Sequence, residues 1–351
     1  MKQLLVAVVA AVVATIVVAA GLTLGGPSPD QADDKATPAA ATGSPVVIVI
    51  SVDGFNHNAL SKLPARYTNN FRAMRRYGTA TTNARTAFEQ TNTLPNHTGM
   101  MTGRRISGAP GHHVTFNSDN GSTLARVNGR YVPGIFDVAH DRGLSTAIYT
   151  SKSKFRFYDR SWGPTHGRPD TVGADDGRDK IDAFVFASPG VAAAALRRDL
   201  ASADPRNLHF WHISLPDAAG HAHGFMSRPY LRAVRTTNSL LGQLFAVLRA
   251  HPSTRARTSV LLTADHGGRG ASHRDPRKLH NYRVPLYTWG RGVSRGVRLY
   301  ATNPGRLYPY DRRIGYSGRQ PIRNLDVANT SLRLLGLPSL ADAPAALDTT
   351  R

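Results

Sequence analysis

Val46-Val47-Ile48-Val49-Ile50-Ser51-Val52-Asp53-Gly54 is the stretch on which the fold turns. Six of the seven residues before Asp53 are apolar and β-branched, and no polar alternation gives the run a solvent side. Such a run belongs inside a parallel sheet covered by helices on both faces. It ends on a carboxylate. Open α/β sheets collect ligands beyond the carboxyl ends of their strands, which puts Asp53 where chemistry is done.

The pattern repeats outward. Residues 208–215 and 258–263 are strand-like and lead into Pro216-Asp217 and Asp265-His266. Residues 144–149 and 283–289 add further strands, and helical patterns occupy 71–77, 95–103, 134–142, 188–200, 228–251 and 325–335. Strands and helices alternate without an internal repeat. That predicts one α/β domain over residues 46–351, with a mainly parallel central sheet flanked by helices on both faces. Residues 106–120 read as loop. Residues 155–182, rich in Gly, Pro, Arg and aromatics, read as a long surface loop or small cap.

The start of the chain carries an address. After Met1-Lys2-Gln3, no charge occurs from Leu4 to Leu24, and Val18-Ala19-Ala20-Gly21 offers small residues for cleavage. Residues 1–25 therefore read as a signal peptide or an N-terminal membrane anchor, the anchoring segment being residues 4–24. Residues 26–45, rich in Ala, Pro, Thr, Ser, Gly and Asp, read as a disordered linker. A secreted or cell-envelope location follows as an expectation. The absence of Cys excludes disulfides and a lipidated N-terminal Cys. With 44 Lys and Arg against 23 Asp and Glu, the formal charge is +21, which favours polyanionic partners or anionic substrates. A basic, solvated surface accounts for the charge equally well, and no specific nucleic-acid or protein partner is implied.

The chemistry-bearing residues lie at these strand ends and around Thr93-Leu94-Pro95-Asn96-His97. A helix entered through Pro95 would set Thr93 just before its N-terminus, where free N–H groups and the dipole favour anions. The same hydroxyl would also serve as an ordinary cap. Asp217 and His221 are four apart, on one face of a helical turn. Asp265-His266-Gly267-Gly268 sets two ligand types side by side. Mixed carboxylates and imidazoles suit Zn2+ ahead of Mn2+ or Fe, with Ca2+ and Mg2+ less apt. Taken singly these features are weak, since an Asp after a strand is usually a turn or cap residue. Their order is more informative: strand-Asp, Thr-x-Pro-Asn-His, Phe-Asn, Pro-Asp-x-x-Gly-His, Ala-Asp-His-Gly-Gly, then His.

In that order the chain resembles the alkaline phosphatase superfamily, most of all its type I phosphodiesterase/nucleotide pyrophosphatase branch. The resemblance extends from Val46 to Pro338. It implies two divalent metal ions, with Thr93 as a nucleophile bridging both and transiently phosphorylated. Asp53, Asp265 and His266 would hold one ion; Asp217, His221 and a later His the other. Asn117 would donate to a phosphoryl oxygen. His273, in Gly-Gly-x-Gly-x-x-His, is the preferred last ligand, and His280, ahead of Tyr282-Arg-Val-Pro285, is its rival. The implied activity is hydrolysis of phosphodiester or pyrophosphate bonds through a phosphothreonine. Phosphomonoester or phosphonate hydrolysis at the same site, or non-catalytic binding of anionic polymer or lipid, are the alternatives.

Departures from the family pattern bear on substrate. Leu94 stands where nucleotide-cleaving members usually carry an aromatic, although Phe157, Tyr158 or Trp162 could substitute. His212 stands where alkaline phosphatases place a Glu for a third metal, which disfavours a dedicated monoesterase. Residues 93–97 lack the Cys or Ser and the Arg that formylglycine sulfatases need. Lys152 and Lys154 either reach a substrate anion or are solvated, and His97 is expected to pack or cap within its helix.

Overall fold

The computed structural model describes residues 43–350. The expected leader, and all but the last three residues of the 26–45 linker, lie outside the described residues. The strands in chain order are β1 (Val46–Val52), β2 (Thr79–Arg85), β3 (Thr146–Thr150), β4 (Ala183–Phe186), β5 (Leu208–Ile213), β6 (Thr258–Thr263), β7 (Arg283–Gly290) and β8 (Val297–Arg298). They form one sheet in the order β4-β3-β5-β1-β6-β7-β2-β8. Every side chain of β1 is buried, as its apolar run requires. β5 and β6 flank it, both parallel to it and both fully buried. Among the described strands β7 alone runs antiparallel to its neighbours, which makes the sheet mainly rather than wholly parallel.

Register sets the site. Val52 pairs with Ile213 and Ser51 with Thr263, so β1, β5 and β6 end level at one edge. The helix Arg228–Ala250 packs with Pro189–Leu200 and Asn69–Tyr77, while Val327–Leu335 packs with Thr93–Thr102 and Ile135–His140. These two helical groups cover the sheet. Among the described residues no helix is long and apolar enough to cross a membrane.

Three local readings change. Helix α1 (Asn69–Tyr77) begins two residues before the expected 71 and stops at Gly78, whose backbone is extended (φ −141°, ψ −167°). Glycine is needed there because a Cβ would lie 1.9 Å from the carbonyl oxygen of Thr288. Helix α2 (Thr93–Thr102) begins two residues before Pro95, with Asn92 as its extended N-cap. Thr93 is thus the first helical residue. Pro95 falls within the first turn, where a missing N–H costs nothing. The expected surface loop at 155–182 instead opens with the helix Arg156–Trp162, whose Phe157, Tyr158 and Trp162 are buried. None of these three rings is free to stack on a base, which removes them as substitutes for the missing aromatic. Leu94 is buried as well.

Candidate metal centre and active site

Three strand ends deliver the carboxylates. Asp53 follows β1, Asp265 lies just past β6, and Asp217 sits in the first turn of Leu215–His223, which begins after β5. Each carboxylate has one oxygen tied down. Asp265 Oδ1 accepts the N–H groups of Gly54 (3.1 Å) and His266 (2.9 Å). Asp53 Oδ2 accepts from His212 Nε2 at 2.8 Å and from Lys152 Nζ at 2.5 Å. Asp217 Oδ2 accepts from Lys152 Nζ at 2.6 Å. The opposite oxygens, Asp53 Oδ1, Asp217 Oδ1 and Asp265 Oδ2, are buried without a hydrogen-bond partner, as is His266 Nε2. Buried polar atoms left unpaired are costly, and four in one place require a reason.

They converge. His266 Nε2 lies 3.4 Å from Asp53 Oδ1, 3.4 Å from Asp265 Oδ2 and 3.7 Å from Asp217 Oδ1. His266 Nδ1 donates to the Gly267 carbonyl (2.8 Å), which turns Nε2 inward. A cation among these atoms would satisfy all four. Beside them lies a second set. Asp217 Oδ1 is 3.3 Å from His221 Nε2 and 3.8 Å from His273 Nε2, and the two imidazole nitrogens are 3.1 Å apart. In each of the sets Asp53/Asp265/His266 and Asp217/His221/His273, ligand-capable atoms lie within 4.8 Å of one another. His273 is aimed by its Nδ1, which donates to the Thr91 carbonyl at 2.7 Å. His280 belongs to neither set; its own carbonyl accepts from the N–H of Gly268. The side chain of His221 is 46% exposed, so the second set faces solvent.

Thr93 is buried at the head of α2 and is tied to both sets through its neighbours. His97 Nδ1 donates to the Thr93 carbonyl (2.7 Å) and lies 3.6 Å from Asp265 Oδ2, while its Nε2 accepts from Ser51. His97 therefore does more than pack within its helix. Thr91, two residues before Thr93, donates its hydroxyl to the His273 carbonyl at 2.5 Å. Asn117 Oδ1 accepts the N–H of Leu94 (2.9 Å), which orients the amide beside the helix start. Phe116 packs edge-on against Phe157 and anchors that loop.

Phe225 is the floor. Its ring, 3% exposed, meets the faces of Gly54, Gly220 and Gly268. A Cβ on any of these would lie 3.1, 2.5 or 2.3 Å from a ring atom. The same ring stands edge-on to His221, His273 and His266, with centroids 5.6, 5.6 and 6.5 Å away. Gly54 and Gly220 adjoin Asp53 and His221 in sequence and Gly268 lies two residues after His266, so one aromatic supports all three ligand-bearing segments.

Electrostatics express the crowding. Burial works against the Asp53 charge, but the Lys152 ammonium, the bond from His212 and the nearby His266 imidazole hold its carboxyl well below the usual range. Burial and Asp53 also oppose charge on Asp217, yet His221, His266 and Lys152 bring it down to about 2. Asp265 loses the competition: burial and the Asp53 carboxylate push it up to about 8. Burial opposes a charge on His266, but Asp265 and Asp53 raise it to about 9, and the field that favours a proton there favours a cation equally. Burial, then His266, lowers His273 to about 3, leaving a neutral imidazole suited to ligation. Lys152, which the sequence offers as an anion contact or a solvated lysine, lies instead between Asp53 and Asp217. A third group, His140 with Asp170 and Asp176, already contains its cation, because the buried Lys180 ammonium pairs with Asp170.

A mainly parallel sheet, carboxylates and imidazoles at its strand ends, and a threonine opening the adjacent helix place this protein in the alkaline phosphatase superfamily. The chain belongs to the type I phosphodiesterase / nucleotide pyrophosphatase family, whose profile matches residues 47–306. Murine ectonucleotide pyrophosphatase / phosphodiesterase 5, solved in an inactive threonine-to-alanine form with AMP, has a similar fold. The TM-score is 0.58 at 14% identity, over 87% of this chain and 97% of that one. A sulfatase-like structure from Bacteroides thetaiotaomicron gives 0.57 at 12% identity, over 87% and 74%. Among curated proteins, GPI ethanolamine phosphate transferase 1 from Homo sapiens is 25% identical over 134 residues, 37% of this chain and 14% of that protein. Its Neurospora crassa counterpart is 28% identical over 156 residues, 41% and 14%. The matched stretch is thus about one-seventh of these relatives' length. Family, fold and site agree on an enzyme that acts on phosphoesters.

Proposed function

We propose that this protein is an exported, two-metal phosphoesterase that cleaves phosphodiester or pyrophosphate bonds through a phosphothreonine at Thr93. The observation that carries this is the convergence of four unpaired buried donor atoms beside a helix that starts at Thr93. Asp53, Asp265, His266 and Thr93 would hold one ion, and Asp217, His221 and His273 the other. Divalent ions there, Zn2+ by this donor set, supply Lewis-acid activation of the hydroxyl and neutralise phosphoryl charge. The Thr93 oxygen displaces the leaving group from phosphorus, and water then releases the phosphoryl group from Thr93. The Asn117 amide donates to a phosphoryl oxygen while its carbonyl is held by Leu94. The uncharged residues 4–24 support export, by a cleaved signal or a retained anchor. The burial of Leu94, Phe157, Tyr158 and Trp162 supports a substrate held by its phosphate rather than by a stacked base.

The test is metal content by mass spectrometry together with hydrolysis of bis-p-nitrophenyl phosphate and p-nitrophenyl phosphate. About two ions per chain with the diester preferred is the expected result; a monoester preference would refute the diesterase assignment. Thr93→Ala should abolish turnover while fold and metal content stay nearly intact, since Asp53, Asp265 and His266 remain, and a fully active variant would refute the nucleophile. An alcohol taking the place of water would make the second step a transfer, the activity in the curated relatives' name. Phosphorylated glycerol among the products, when glycerol is added, would favour that reading.

A further inference from the structure

The mechanism above leaves Lys152 unused, although its ammonium is among the most tightly paired groups at the site. Lys152 follows β3, which pairs with β5, and this brings its side chain to the β1 and β5 ends. Nζ lies 2.5 Å from Asp53 Oδ2 and 2.6 Å from Asp217 Oδ2, one carboxylate from each candidate metal set. The oxygens it takes are not the oxygens an ion would take. Asp53 Oδ1 and Asp217 Oδ1 are the unpaired ones, and they face His266, His221 and His273. The ammonium is therefore on the outer side of both carboxylates, not in the space among the imidazoles. It is also held from behind. Thr150 Oγ1 accepts the Lys152 N–H (3.2 Å) and bonds His212 Nδ1 (3.1 Å), whose Nε2 donates to Asp53 Oδ2. A single network thus reaches Asp53 Oδ2 twice and Asp217 Oδ2 once.

We propose that Lys152 is a positioning residue that clamps the outer oxygens of Asp53 and Asp217 together, fixing the two metal sets relative to each other with one inner oxygen of each turned toward its ion. This rests on the two-metal reading of the site. A lysine that merely neutralised the carboxylates would compete with cations, and its loss would tighten metal binding. A clamp has the opposite sign. Outer partners that orient metal ligands change affinity by about 10–100-fold when removed.

The experiment titrates Zn2+ into the metal-stripped full chain by calorimetry, for wild type, Lys152→Met and Lys152→Arg. Absorption spectra of the Co2+-substituted proteins report coordination. Wild type is expected to take two ions. Lys152→Met should bind at least one of them about tenfold or more weakly, with an altered Co2+ spectrum. Lys152→Arg, which can bridge two carboxylates, should recover most of the affinity. Lys152→Gln replaces the Met variant should that one fail to fold by circular dichroism, with the same loss expected. Two ions bound as tightly as in wild type, or more tightly, in the uncharged variant would overturn the clamp and leave the two-metal site standing. Fewer than two ions in wild type itself would overturn both.

Discussion

Phe225→Ala is the perturbation that tests the architecture of the site most directly. The ring is buried against three glycines and edge-on to three imidazoles, so its removal opens a cavity whose walls cannot easily close. Gly54, Gly220 and Gly268 have no side chains to move inward, and the Phe225 backbone stays pinned by its N–H to the Gly270 carbonyl at 2.7 Å. Phe→Ala in a core costs about 3–5 kcal/mol, and poor collapse places this site in the upper part of that range. In a domain of this size that is roughly a 6–8 °C fall in melting temperature. Thermal unfolding followed by circular dichroism, with and without saturating Zn2+, separates two contributions. The loss should be larger with Zn2+, because His221 and His273 also lose the surface that aims them. Adding Gly268→Ala sharpens the test. In wild type its Cβ would lie 2.3 Å from the ring and should be severely destabilising; beside Phe225→Ala it should be nearly neutral or restorative. If Phe225→Ala stays within about 1 kcal/mol of wild type with unchanged Zn2+ affinity, the ring is not the support described here.

Other perturbations follow from the same geometry. Asp265→Asn removes a carboxylate that burial and Asp53 already push up to about 8, so the metal-free variant should be no less stable than wild type at neutral pH. Its metal content should fall, and an unchanged stoichiometry would exclude Asp265 as a ligand. Burial raises Asp137 from its ordinary 3.8 to about 6, despite bonds from Tyr131 and the Gly134 N–H. The folded state therefore binds this proton more tightly than the unfolded chain. Stability from this group is complete below pH 4 and is lost as pH rises through 6. Asp137→Asn should match wild type at pH 4 and exceed it by up to about 3 kcal/mol at pH 8 in urea titrations; a difference independent of pH would refute the assignment. Gly78→Ala should be destabilising by more than the ordinary helix-end exchange, since its Cβ meets the Thr288 carbonyl oxygen, and denaturation midpoints would show it.

What could be read from the chain and what could not divide along physical lines. β1 is apolar but for Ser51, and β5 and β6 carry apolar centres at Phe210-Trp211 and Val260-Leu261-Leu262, so these strands and the carboxylates beyond them were legible. Helical spacing put Asp217 and His221 on one face, but only their place in the longer motif order marked them as a ligand pair. β2 was not legible, because Thr79–Arg85 is mostly Thr, Asn and Arg and owes its strand to pairing with β7. The helix Arg156–Trp162 hid its apolar face among Arg156, Asp159 and Arg160, and only tertiary burial shows which side counts. His273 and His280 look alike in sequence; the Thr91 carbonyl that aims one of them is 182 residues away. Lys152 stood out as a possible anion contact, but its pairing with Asp53 and Asp217 needed knowledge that β3 lies beside β5, which no local pattern encodes.

The level ending of β1, β5 and β6 also fixes an order of assembly. Gly54 donates to a carboxylate 211 residues further along the chain, and His273 follows later still. Loop closure over such separations must precede any gain from the contacts it makes. A growing chain therefore carries Asp53 for most of its synthesis with no partner able to chelate beside it. Acquisition of metal reports completed topology rather than local folding, and a truncation ending before Asp265 should bind Zn2+ no better than an unfolded peptide of the same composition.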